Sequence, residues 1–180
     1  AVVIGTICLP LMLIAAVIVK LGSKGPVLFV QERIGELNRP FDMYKVRSMA
    51  QDAEKDGPQW AQKNDARITR FGKFMRLTRI DELPQLWNVI RGDMSFVGPR
   101  PEREFFIKQL EKEIPYYNLR HTVKPGLTGW AQIMYQYGST IDDSYIKLQY
   151  DLYYIKHHNI IFDFMIILNT ITTVILGKGR

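Results

Sequence analysis

The first nineteen residues, AVVIGTICLPLMLIAAVIV, carry no charged side chain. A fold that kept this run in water would have to surround it on every side. As a straight helix it would be about 28 Å long, close to the hydrocarbon thickness of a bilayer. A membrane helix is therefore the first expectation. A signal peptide fits less well, because no basic stretch precedes the run and Lys20-Leu21-Gly22-Ser23-Lys24 is not a small-residue cleavage site. Pro10 sits mid-run, lacks a backbone donor and clashes with the carbonyl four residues back. A kink is expected there. From sequence, a kinked span and a helix that bends at Leu9-Pro10 and returns to the same face are both open. The run opens without an initiator Met, so we expect the chain to be the C-terminal part of a longer protein. The visible flank is basic (Lys20, Lys24, Arg33, Arg39, Lys45, Arg47), which places it on the cytoplasmic side by the positive-inside rule.

Charge bounds the rest. A net charge of +6 over 180 residues favours anionic partners: nucleic acid, acidic lipid or phosphorylated substrates. No nucleic-acid-binding motif is present, and the apolar start favours lipid. Cys8 is the single cysteine, so there is no intramolecular disulfide and no cysteine zinc site. His121, His157 and His158 lack metal-ligand spacing. A second apolar stretch, 160–176, is interrupted by Asp163 and Asn169. A charge at mid-bilayer costs about 2.5–3.5 kcal/mol on insertion scales, so this is not expected to span. The tyrosines and lysines of 144–158, mixed at helical spacing, predict a helix lying in the headgroup layer. The tail Gly177-Lys178-Gly179-Arg180 suits anionic headgroups.

Between these segments, 26–33 and 41–49 alternate as two strands of a hairpin, with Lys45 and Arg47 sharing one face. Residues 50–65 read as a polar loop, a candidate lid. Residues 66–79 read as a helix with Ile68, Phe71 and Met75 on one side. Residues 85–91 read as a short helix with Leu86, Val89 and Ile90 inward, started by Pro84. The stretch 92–101, with two glycines and two prolines, reads as a stiff loop holding Arg100 in place. An amphipathic helix over 102–113 follows. A second rigid turn covers 123–130, with Trp130 as a candidate interface anchor. Walker A, GxGxxG and GxSxG motifs are absent.

The chemistry concentrates at Asp81-Glu82. Five cations precede it at three-residue intervals: Arg67, Arg70, Lys73, Arg76 and Arg79. A carboxylate among cations keeps its charge. It can then attack phosphorus or hold a divalent cation while the cations hold phosphate oxygens. The same pattern also describes a solvated helix with ordinary ion pairs.

Longer motifs break the tie. Tyr44-Lys45-Val46-Arg47-Ser48-Met49, Arg79-Ile80-Asp81-Glu82-Leu83-Pro84-Gln85-Leu86-Trp87-Asn88-Val89, Gly92-Asp93-Met94-Ser95-Phe96-Val97-Gly98-Pro99-Arg100-Pro101 and the stretch from Arg120 to Gln132 resemble the bacterial sugar transferases, the monotopic phosphoglycosyl transferases. Tyr135-Gln136-Tyr137-Gly138 and Asp151-Leu152-Tyr153-Tyr154-Ile155-Lys156 resemble the exopolysaccharide-type members.

The resemblance implies an α+β, mainly helical fold: a re-entrant membrane helix over 1–22, broken at Pro10, and a catalytic domain over 23–180. That domain would hold a small β-hairpin and interfacial helices around a site at the cytoplasmic face of the bacterial inner membrane. It implies transfer of a sugar 1-phosphate from a nucleotide diphosphate sugar, a UDP-hexose by family, to undecaprenyl phosphate. By motif match Asp81 is the nucleophile and Glu82 holds Mg2+. Lys45, Arg47, Arg76 and Arg100 are the candidate phosphate-holding cations. Membrane lipid, downstream glycosyltransferases and a second copy of the chain are the partners implied, with no nucleic acid.

Two departures stand out. The Asn-Gly-Arg segment of the small members is replaced by Met134-Tyr135-Gln136, and Leu9 stands where Ser is frequent before the proline. A membrane-anchored interaction module with an idle acid pair, or a basic surface protein, are the competing readings.

Overall fold

The computed structural model describes residues 1–55, 57–60, 65–135 and 140–175. Gln136, Tyr137, Gly138 and the basic tail from Gly177 to Arg180 lie outside the described residues, as do parts of the expected 50–65 loop.

Helix α1 covers Val2–Gly22 and runs through Pro10 without interruption. The expected break is therefore not seen as a gap between two helices. Most of α1 is exposed, but Ala15 and Val19 are buried. They pack with Val46, Met75 and Ile80, so the last turns of the apolar helix are part of the core that carries the acid pair. Ser23 and Lys24, just past α1, are held by a single side chain. The Arg47 guanidinium donates to the carbonyls of Lys24 and Ser23 (3.1 Å for Ser23) and to Ser23 Oγ (2.9 Å). Those interactions satisfy carbonyls that a helix end leaves without partners.

Strands β1 (Leu28–Ile34) and β2 (Pro40–Val46) form the expected antiparallel hairpin, with Leu28 opposite Val46 and Ile34 opposite Pro40. Leu37 and Asn38 take left-handed backbone in its turn. β2 ends three residues before the expected limit. Helix α2 covers Arg70–Thr78, four residues shorter at its start than expected. Thr69 caps it, its Oγ1 accepting from Gly72 N at 2.9 Å. Ile68 instead bridges to Met49. Gly72 is required here, since a Cβ would lie 1.9 Å from the Ser48 carbonyl oxygen.

Helix α3 spans Gln85–Arg91, as expected, but with a different inner face. Gln85, Leu86 and Asn88 are buried, while Ile90 is exposed. The two stiff segments are not merely loops. Each holds a three-residue strand, β3 (Ser95–Val97) and β4 (Gly126–Thr128), which pair in parallel. A Cβ on Gly126 would sit 2.1 Å from Gly98 N, so the close approach needs glycine.

Helix α4 covers Glu104–Glu113, α5 Trp130–Met134, α6 Ile141–His157 and α7 Ile160–Ile175. Thr140 and Asp143 close a reciprocal capping box at the start of α6. One face of α6 is buried against the body through Leu148, Asp151 and Tyr154, while Tyr145 and Tyr153 stay exposed on the helix that the sequence predicts to lie in headgroups. Trp130 likewise packs inward, edge-on to Phe162 with centroids 5.2 Å apart. Asp163, the charge that interrupts α7, accepts from Tyr154 Oη at 2.8 Å. The fold is thus mixed helix and sheet, mainly helical, with two small sheets.

Candidate active site

Asp81 and Glu82 lie on a 3-10 turn, Ile80–Glu82, entered through a sharp reversal at Arg79. Arg79 is left-handed (φ 58°), and its N–H closes α2 onto the carbonyls of Met75 and Arg76. A side-chain-bearing residue pays about 1–2 kcal/mol for that conformation. The reversal turns both acids into the body, where Asp81 is 5% and Glu82 6% exposed.

Glu82 is met by three cations from three parts of the chain. Its Oε1 accepts from Arg100 Nη2 (2.6 Å) and Lys45 Nζ (3.2 Å), and its Oε2 accepts from Arg79 Nη1 (3.0 Å). Burial alone would raise this carboxyl, but Arg100, Lys45 and Arg79 overrule it and hold it well below the usual range. Asp81 is different. Its Oδ1 is buried with no hydrogen-bond partner. Burial, then the neighbouring Glu82 charge, pushes its carboxyl up, with Lys45, Arg76 and Arg100 pulling the other way. Two adjacent carboxyls are thereby separated into a fixed anion and a more basic, uncommitted one.

The cations are themselves positioned. Lys45 is on β2, whose edge is held by Asn88 of α3, 0% exposed. Asn88 accepts from Tyr44 N (3.2 Å) and donates to the Asp42 carbonyl (2.7 Å). Burial pushes the Lys45 amine down to about 8, against the pull of Glu82. Arg76 donates through Nε to Ser48 Oγ (2.9 Å). Burial lowers its pKa, and Asp81 is the first charge to oppose that. Arg100 donates to Gln132 Oε1 (3.2 Å) as well as to Glu82.

Of the four cations expected from sequence, Lys45, Arg76 and Arg100 come together around the acids. Arg47 does not. It follows β2 in the chain, where strand alternation no longer dictates direction, and its guanidinium is committed to the end of α1. Arg79 takes a place that we did not assign to it; its i, i+3 spacing to Glu82 was the available signal. Arg67, the first of the five spaced cations, forks onto Asp65 (2.6 and 2.8 Å). Asp93 stabilises its loop through Arg91 (3.3 Å). Asn88 went unnoticed in the sequence. The site therefore holds two carboxylates and four cations (Lys45, Arg76, Arg79, Arg100), a positive surplus suited to an anionic substrate.

Among the described residues no cluster of three acidic, His or Cys side chains could cage a metal. The donor set is instead two adjacent carboxylates: Asp81 Oδ1 takes no hydrogen bond, and Glu82 Oε2 takes only the one from Arg79, which leaves it a lone pair for a cation. That fits Mg2+, which is commonly held by one or two carboxylates plus substrate phosphates.

A family model described as bacterial sugar transferase matches residues 1–177. The chain belongs to the bacterial sugar transferase family. Within it, a UDP-N-acetylgalactosamine-undecaprenyl-phosphate N-acetylgalactosaminephosphotransferase of Aeromonas hydrophila is 51% identical over 170 residues, covering 94% of this chain and 40% of that protein. A UDP-glucose:undecaprenyl-phosphate glucose-1-phosphate transferase of Xanthomonas campestris pv. campestris is 48% identical over 172 residues, covering 94% of this chain and 36% of that protein. The exopolysaccharide production protein PSS of Rhizobium leguminosarum bv. phaseoli is 40% identical over 177 residues and is 88% covered. The chain thus spans about two-fifths of the length of the first two bacterial sugar transferases and most of the third.

Proposed function

We propose that this chain is a phosphoglycosyl transferase domain that moves a sugar 1-phosphate from a UDP-sugar to undecaprenyl phosphate. The observation that carries the reading is the uncommitted oxygen of buried Asp81 beside a Glu82 that takes three cations. The named activities of the Aeromonas and Xanthomonas relatives support the substrate classes.

In this reading the donor's diphosphate enters the cationic surplus, and Lys45, Arg76, Arg79 and Arg100 take its non-bridging oxygens. Asp81 attacks the phosphorus that bears the sugar. A P–O bond forms to the aspartyl oxygen, the bond to the bridging oxygen breaks, and UMP leaves with that electron pair. The phosphate oxygen of undecaprenyl phosphate then attacks the same phosphorus and Asp81 departs as carboxylate. The raised pKa of Asp81 makes it the more nucleophilic acid of the pair. Glu82 stays ionised, organises the cations and would hold Mg2+ together with the donor's phosphates. The ion, when bound, supplies positive charge to the transferring phosphoryl oxygens.

Placement at a membrane follows from α1, which is long and apolar enough to cross one and is mostly exposed. We place the site at the cytoplasmic face of the inner membrane, with α1 bent at Pro10 and returning to the face it enters. Packing of Ala15 and Val19 with Ile80 supports a site at the membrane surface, because it ties the last turns of the helix to the catalytic turn, while the bend rests on Pro10 and the side on the basic flank.

The test uses purified protein, UDP-sugars, undecaprenyl phosphate and Mg2+, scored for UMP. Turnover is expected with one or more UDP-hexoses, and none with Asp81→Asn or after chelation. With donor alone, a stoichiometric burst of UMP and a phosphosugar mass on Asp81 are expected. A normal rate for Asp81→Asn would remove the nucleophile assignment. Turnover without a burst would replace the covalent step by direct transfer.

A further inference from the structure

Arg100 touches Glu82 from a segment with unusual support. Four consecutive carbonyls are each held by a donor from elsewhere. Pro99 O accepts from Gly126 N (2.9 Å), Arg100 O from Arg120 Nη2 (2.8 Å), Pro101 O from Arg33 Nη1 (3.2 Å) and Glu102 O from Ile34 N (3.0 Å). Prolines on both sides of Arg100 supply no N–H of their own and fix φ. The segment is therefore pinned through its acceptors, and two of the four donors are arginine side chains.

Arg120 is the more deeply set of those two. It is 6% exposed and none of its recorded contacts is to Asp81 or Glu82. Its Nη1 donates to Tyr117 Oη (2.6 Å), and its Nη2 lies 2.9 Å from Asp151 Oδ2. Asp151 is 2% exposed, on the inner face of α6. Taking such a pair out of water is costly, and well-packed apolar residues often serve stability equally well. What an apolar pair would not supply is a donor aimed at the Arg100 carbonyl.

We infer that Arg120, oriented by Asp151 and Tyr117, is a positioning residue for Arg100. The relay runs from α6 through Asp151 and Arg120 to the backbone of residue 100, and from there through the Arg100 side chain to Glu82. It fixes where the guanidinium meets Glu82 and the donor's phosphate. The inference rests on the reading of Arg100 as a phosphate-holding cation, and Asp151 and Arg120 do no chemistry themselves.

A double-mutant cycle separates positioning from general support. The four proteins are wild type, Arg100→Ala, Asp151→Asn and the double variant, each full chain in the same lipid, with kcat/KM read from UMP release and Tm measured in parallel. Arg100→Ala is expected to lose about 100-fold and Asp151→Asn about tenfold. In the Arg100→Ala background, Asp151→Asn should cost less than about twofold more, because residues acting through one another are not additive. An equal tenfold loss in both backgrounds would overturn the relay and leave Asp151 a structural residue. Wild-type turnover by Arg100→Ala would overturn the reading of Arg100 itself, and the relay with it. Should Asp151→Asn fail to fold, Tyr117→Phe enters the same cycle, since it keeps the ring and removes only the hydroxyl that holds Arg120. The same non-additivity is expected there, and additivity would again overturn the relay.

Discussion

Lys45 shows how one residue's surroundings become a measurable property of the site. Burial brings its amine down to about 8, with Glu82 opposing. Below that pH it is charged and can hold phosphate. Above it the amine is neutral and one cation is lost. Since kcat/KM reports groups of the free enzyme, it should fall about tenfold as pH rises through about 8, the worth of one charge-assisted hydrogen bond. Lys45→Arg should lack this alkaline limb, because arginine stays protonated; persistence of the limb in that variant assigns it to another group. At this scale the acid pair was legible from the sequence, through its adjacency and the motifs around it. Arg47 was not. Its direction is set by the end of α1, some twenty residues earlier in the chain, and strand alternation carries no information about that meeting. Arg79 was obscured for a related reason, since its left-handed backbone re-aims a side chain that helical periodicity sends elsewhere.

Elements of ordinary length were the easiest to read. The hairpin, α3 and α4 follow from period and punctuation, with ends shifted by a few residues. The β3–β4 pair was hidden because three-residue strands bounded by Gly and Pro are too short to give an alternating pattern, and a parallel partner some thirty residues away leaves no local trace. Its energetics are testable through Gly126→Ala, which places a methyl 2.1 Å from Gly98 N. Overpacking of this kind costs about 1–3 kcal/mol or more, and thermal unfolding should show a lowered Tm with activity lost in step, as Arg100 shares the loop. Arg47→Ala probes the joint between α1 and the body. It leaves the Ser23 and Lys24 carbonyls without their donor, and hydrogen bonds to a charged group are worth about 1.5–3 kcal/mol. Stability of the reconstituted protein should fall by that order. Because Arg47 is not among the cations around Glu82, kcat/KM of the folded fraction should stay within about twofold. A hundredfold loss in fully folded Arg47→Ala would return Arg47 to the list of phosphate contacts.

Among the described residues three packed clusters form the core, and the turn that carries the acid pair belongs to the one that includes the apolar helix α1. Ala15 and Val19 of α1 share a cluster with Ile80, one residue before Asp81. A second cluster joins the end of β1, α4 and α6, and a third joins β3, α6 and α7. This coupling follows from tertiary packing, so the sequence showed an apolar helix and an acid pair without showing that they touch. It also implies an orientation in the bilayer. Exposed apolar side chains are found on α1, on α7 (Ile160, Ile161, Phe164, Leu168), on α2 (Phe74, Leu77) and on α3 (Trp87, Ile90), and also on β1 (Leu28, Val30) and α4 (Phe105), but it is α3 that packs against α1. The second cluster instead carries Trp60, stacked on Phe106 at 4.8 Å. Indole rings prefer the interface of a membrane when they are free to reach it. Trp87 is 54% exposed on a helix that packs against α1, so it should sit among headgroups and Trp60 in the body away from them. With single-tryptophan variants in vesicles, brominated lipid should quench Trp87 fluorescence strongly and leave Trp60 nearly unchanged. Stronger quenching of Trp60 than of Trp87 would mean that the body lies on the membrane by another face, and that the exposed residues of α2 and α3 face water.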